Sequence, residues 1–95
     1  MKTFVESPEI AQVAANVIKK EKLEVSRARI SYLMVTPTIG KNIHGKCIKC
    51  SSELTFYADV DYIIEISKLT WDLLDEKARY LLVYHELLHI NIAYD

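Results

Sequence analysis

Leu81-Leu82-Val83-Tyr84-His85-Glu86-Leu87-Leu88-His89-Ile90 is the stretch that decides how this 95-residue chain is read. Asp75 offers an N-cap and Glu76 suits a first turn. From Ala78 to Tyr94 there is neither proline nor glycine, so the spacing predicts a C-terminal helix of roughly 17 to 19 residues. Apolar letters fall on nearly every side of it, which predicts a central helix buried all round. Four helical residues turn through about 400°, so His85 and His89 share one face a turn apart, where two imidazoles can meet one ion. Glu86, about 100° from His85, can reach a water there without being a ligand. With three histidines in 95 residues, such a pattern arises by chance in about one sequence in a hundred. The chemistry expected of it is hydrolytic: a zinc ion acidifies a water, and Glu86 takes its proton and passes it to a leaving amine.

Upstream of that helix, Ser7-Pro8-Glu9 supplies a cap, a proline for the first turn and a carboxylate for the positive end of the dipole. Ile10, Val13, Ala14, Val17 and Ile18 then recur at helical spacing, predicting an amphipathic N-terminal helix that ends near Lys22. Ile30 to Val35 are strand formers bounded by Pro37 and Gly40. Thr38 to Ser52, with both glycines, both cysteines and His44, reads as a loop or a short irregular edge strand. Leu54 to Ala58 suits a helical turn or a strand equally. Asp61 to Ser67 alternates as a second strand, with Tyr62, Ile64 and Ile66 on one face and Ile63 and Glu65 on the other. Leu69 to Leu74 is expected to be a connecting turn that brings Trp71 to the core. The fold class is therefore α+β: an N-terminal helix, a small, mostly antiparallel sheet of two or three strands, and a C-terminal metal-binding helix, all in one domain spanning residues 1–95.

Composition narrows the function. Twelve Lys+Arg against 13 Asp+Glu give a net charge of −1, which provides no cationic excess for phosphates, so no nucleic-acid partner is expected. No run of about 18 apolar residues is present and the N-terminus has no apolar signal core, so neither membrane association nor export is expected. Two cysteines in C-x-x-C spacing then point to a reducing, cytoplasmic setting.

Asp61-Tyr62-Ile63-Ile64-Glu65-Ile66, Trp71-Asp72-Leu73-Leu74 and the run from Leu81 to Ile90 together resemble the small zincin-type metallopeptidases of phages and archaea, over roughly residues 28 to 95. The resemblance implies zinc as cofactor, His85 and His89 as its ligands and Glu86 as catalytic acid/base. It also implies a peptide or protein substrate aligned on an edge strand. A catalytic zinc ordinarily takes a third protein ligand, downstream in related zincins. Asp95, six residues after His89, has that offset, but the glycine needed for the chain to turn back is replaced by Ile92. On a continuing helix Asp95 would lie about 240° from His89. A carboxylate or thiolate from elsewhere in the fold, a second subunit, or water filling two positions are the other sources, and a homodimer or protein partner would also complete the cleft.

His44-x-x-Cys47-x-x-Cys50 presents three further metal donors. It reads as free thiols on a surface hairpin, a separate metal clip, a disulfide or redox pair, or half of a closed Cys2His2 site with His85 and His89. Tyr80, Tyr84 and Tyr94 are read as packing residues of the metal helix that have hydroxyls available for an oxyanion. Glu65 is either an exposed strand carboxylate or an acceptor that orients a histidine. Three functions follow: a zinc metallopeptidase, a noncatalytic zinc-stabilised binding or regulatory module, or an interaction protein with a vestigial motif.

Overall fold

A computed structural model describes residues 1–25 and 28–94, the last four as backbone only. Its elements are β1 (Thr3–Glu6), α1 (Pro8–Glu21), β2 (Ile30–Thr36), β3 (Gly45–Lys49), α2 (Ser52–Ala58), β4 (Tyr62–Ser67), α3 (Lys68–Leu73) and α4 (Glu76–Tyr94). The N-terminal helix forms for the reasons its sequence suggests. Ser7 Oγ accepts from the Ile10 amide at 3.2 Å, Pro8 occupies the first turn, and Lys22 closes the far end in a left-handed conformation. Asp75 caps α4 in the same way, accepting from the Ala78 amide at 2.8 Å. The ambiguous segment after Cys50 is a helix, because Ser51 caps it and Asp59 ends it in the left-handed region.

The sheet has four strands, not two or three, in the order β1-β2-β4-β3. Its outer pairs are antiparallel and the central β2–β4 pair is parallel. The two additional strands lie at the edges. β1 exposes all four of its residues and so carries no burial pattern, and β3 is a regular strand drawn from the glycine- and cysteine-rich segment. The expected turn after β4 is the short helix α3, which buries Trp71. Alternation along β4 holds: Tyr62, Ile64 and Ile66 face the core built with Ile10, Ala14 and Val17 of α1 and Val83, Leu87 and Ile90 of α4. Both long helices thus cover one face of the sheet.

α4 is not buried all round. Val83, Glu86, Leu87 and Ile90 face the interior, while Leu81, His85 and His89 face solvent. A single sheet layer shields only one side of a helix, so the apolar letters at other angles, Leu81 among them, stay outside. Among the described residues no helix is long and apolar enough to cross a membrane.

Ser67, fully buried at the end of β4, fixes the path of the chain into β3. Its hydroxyl donates to the Ile43 carbonyl at 2.6 Å and accepts from the Ile39 amide at 2.9 Å and from Thr38 Oγ1 at 3.1 Å. Its own amide donates to the His44 carbonyl. Ser67→Ala strands several of these groups and is expected to lower unfolding free energy by about 1 to 3 kcal/mol in denaturant titration; an unchanged midpoint would show the hub to be dispensable.

Candidate functional site

The helix places His85 and His89 on its exposed side, with ring centroids 5.2 Å apart and planes nearly perpendicular. Neither imidazole has a hydrogen-bond partner among the described residues. Glu86 points inward and is only 5% exposed. Sequence reading expected the whole motif to be buried, whereas the structure separates it into two open imidazoles and one covered carboxylate.

The cover is β3. A Cβ added to Gly45 would lie 2.9 Å from Glu86 Oε2 and 3.2 Å from Ile66 Cδ1, so a larger residue here would displace the carboxylate. Burial raises the Glu86 carboxyl above its ordinary range, and the neighbouring His85 and His89 pull it partly back. A carboxylate raised in this way is better matched to proton transfer near neutral pH than one in water.

β3 is also an open edge. Cys50 N–H donates to the Asp61 carbonyl and Ser67 N–H to the His44 carbonyl, so the even-numbered residues turn their main-chain groups toward β4. By alternation Gly45, Cys47 and Lys49 turn theirs outward, while their side chains lie on the face that packs against α4. Tyr32, Ile64 and Cys47 form one row across three strands.

The same strand takes the cysteine motif apart. Three residues of extended chain span about 10 Å and reverse the side-chain face, so His44, Cys47 and Cys50 do not converge. Both thiols are free. Burial, and then the Glu86 carboxylate, push Cys47 up to about 11, opposite to the shift a ready thiolate needs. Cys50 is raised by burial and by Asp61. Among the described residues no group of three or more His, Cys, Asp or Glu is placed to hold a metal, so neither the separate clip nor the closed Cys2His2 site forms there. Asp95 lies outside the described residues, as does the Tyr94 side chain.

Glu65 fits neither of its expected roles. It is 9% exposed and so is not a surface carboxylate, and it faces away from α4 in a row with Leu33 and Lys46, out of reach of either histidine. Tyr80 packs between the long helices, its hydroxyl donating to Glu21 at 2.7 Å, and Tyr84 lies against the core. Sequence reasoning missed a groove of about 270 Å³ lined by His44, Thr70, Leu74, Ala78 and Leu82. Helical spacing puts Ala78 and Leu82 on the stripe that continues to His85 and His89, a signal the sequence did contain. The approach of His44 and Thr70 left no such trace.

Burial of the Glu86 carboxyl has a consequence for stability. A carboxyl raised in the folded state binds protons more tightly than in the unfolded chain, so metal-free protein loses stability as pH rises from about 4.3, the unfolded value, through the raised folded value. Glu86→Gln removes that cost. In chelator, its melting temperature is expected to exceed the wild type's at pH 7 and to converge with it near pH 4; a constant offset would contradict the burial effect.

The profile of a family described as "Putative phage metallopeptidase" matches residues 2–95. No curated protein and no solved structure is similar enough to count as a match. With nearly the whole chain matched, and a helix that displays two open imidazoles beside a covered carboxylate, this protein belongs to the phage metallopeptidase family.

Proposed function

We propose that this protein is a zinc-dependent metallopeptidase that hydrolyses peptide bonds, with His85 and His89 as metal ligands and Glu86 as general base. The observation that carries the reading is the division of labour on α4: two exposed imidazoles one turn apart, without protein partners among the described residues, and next to them a largely buried carboxylate against which Gly45 packs. That donor set suits zinc, and family membership supports a metal and a peptide substrate. Asp95 and a donor from a partner protein are the candidates for a third ligand.

Zinc, when bound, supplies Lewis acidity that activates water and polarises a carbonyl. The chain's own groups do the rest. Glu86 takes the proton of the attacking water; as the carbon–nitrogen bond breaks, it delivers that proton to the departing amine. An extended peptide adds to the open edge of β3 through the outward main-chain groups of Gly45, Cys47 and Lys49. The groove beside Leu82 accommodates one apolar side chain of that peptide. Two free thiols suit a cytoplasmic setting.

Purified protein is expected to bind one zinc, to cleave a mixed peptide library, and to stop when chelated. Glu86→Gln should keep the zinc and lose about 10² to 10⁴ in kcat, while His85→Ala and His89→Ala should lose the zinc itself. Wild type that takes up no zinc, and whose melting temperature ignores chelator, would refute the reading. Zinc binding without hydrolysis would favour the noncatalytic module.

A further inference from the structure

The open edge beside Glu86 is cationic in a chain that is not. Residues 41–50 contain Lys41, Lys46 and Lys49 and no Asp or Glu, so against a total of −1 the remainder of the chain carries −4. All three lysines are exposed, and none has a hydrogen bond or ion pair among the described residues. The two on β3 differ in their surroundings. Lys46 stands across the ladder from Glu65, whose charge offsets it, and its main-chain groups face β4. Lys49 stands opposite Tyr62 and turns its main chain outward. Glu53, in the first turn of α2, makes no bond to it, and Asp59 and Asp61 are engaged by Arg29. At the other end of the strand the sign reverses. The Glu86 carboxylate occupies the space that a side chain on Gly45 would need. Lys49 lies four residues further on, about 13 Å along the strand and on the same face. Between them Cys47 is half-buried and its thiol, pushed up to about 11 by burial and then by Glu86, is uncharged. One face of the edge therefore runs from negative at Gly45 through neutral at Cys47 to positive at Lys49.

We infer that this edge takes an extended acidic peptide, and that Lys49 is a specificity-determining residue pairing with an Asp or Glu side chain of the substrate. The inference rests on the proposed function for the place of cleavage and goes beyond it in naming the substrate class. A peptide added antiparallel, the arrangement with the stronger ladder, turns the side chain opposite each β3 residue to the same face as that residue, with the two Cβ atoms about 5 Å apart. A carboxylate opposite Lys49 then lies within reach of the ammonium group, whereas a carboxylate opposite Gly45 meets Glu86 and is repelled. Antiparallel chains run in opposite directions, so the selected acid lies about four residues N-terminal to the one beside Glu86. The two ends also set the register: a peptide displaced by two residues keeps the direction of its main-chain bonds and loses the charge match.

Zinc-loaded Glu86→Gln protein is expected to hold a peptide without cutting it, so binding is read there by fluorescence anisotropy. The probes are a fluorescein-labelled extended peptide with one Glu among neutral residues and its Gln analogue. The Glu peptide should bind about 3-fold more tightly at low salt, and the margin should close by about 0.5 M salt. In the same background Lys49→Gln should erase the margin and Lys49→Glu should reverse it, while Lys46→Gln leaves most of it. Zinc content and melting temperature should stay at the parent's values in all three. With wild type and a peptide library, the cleaved sequences should carry Asp or Glu about four residues N-terminal to the cut bond, and this enrichment should vanish in Lys49→Gln. Equal binding of the two probes, or a margin that survives Lys49→Glu, would overturn the role of Lys49 whatever the protein cleaves. A margin that follows Lys49 in a protein that cuts no peptide would uphold the acidic-peptide edge and overturn the hydrolytic reading alone.

Discussion

A largely buried carboxylate is the constraint around which this small protein is arranged. Glu86 lies on the interior side of α4, one step around the helix from Val83, Leu87 and Ile90, which fasten that side to the sheet. Burying a carboxyl that has no ion pair among the described residues is costly. Here the cost accompanies a specific geometry. The edge strand comes down onto the carboxylate at Gly45, where the missing side chain leaves room for it.

That contact depends in turn on where β3 begins. The chain between β2 and β3 has little regular structure of its own, yet its end is set by one buried serine that bonds to residues 38, 39 and 43 and, through its amide, to residue 44. Ser67 terminates β4, the strand that pairs with β3, so one residue fixes both the register of the edge and the loop leading into it. The polar network and the apolar core thus converge on the same place. α4 is held from below by aliphatic packing, and β3 is held from its end by hydrogen bonds.

Much of this was legible in the sequence where the signal is local. The caps at Ser7 and Asp75, the helical spacing of Ile10, Ala14 and Val17, and the alternation of Tyr62, Ile64 and Ile66 each come from one stretch of chain, and each matches the structure. So does the spacing of His85 and His89, which needs only a helix. The misses are nonlocal or short. β1 shows no alternation because none of its residues is buried, and β3 is a strand only because β4 lies beside it. α3 has six residues and no side-chain cap to announce it. Helical letters alone cannot say how many sides of α4 are covered, which is why Leu81 and the two imidazoles were expected inside. The cysteine motif misled for a related reason: its spacing looks like a ligand set only while the segment is taken for a loop.

The bareness of the two imidazoles bears on metal selectivity. Metal-binding histidines are usually oriented by a hydrogen bond to the second ring nitrogen, and such bonds help a site choose among ions by geometry. His85 and His89 have no such partner among the described residues, so in the proposed site their rings would adapt to an ion rather than impose a shape on it. Affinity then follows the general ordering of divalent metals on nitrogen donors, which favours copper over zinc and zinc over manganese. If the proposed pair of imidazoles holds a metal, the ion would accordingly be decided by which metals the surroundings leave free.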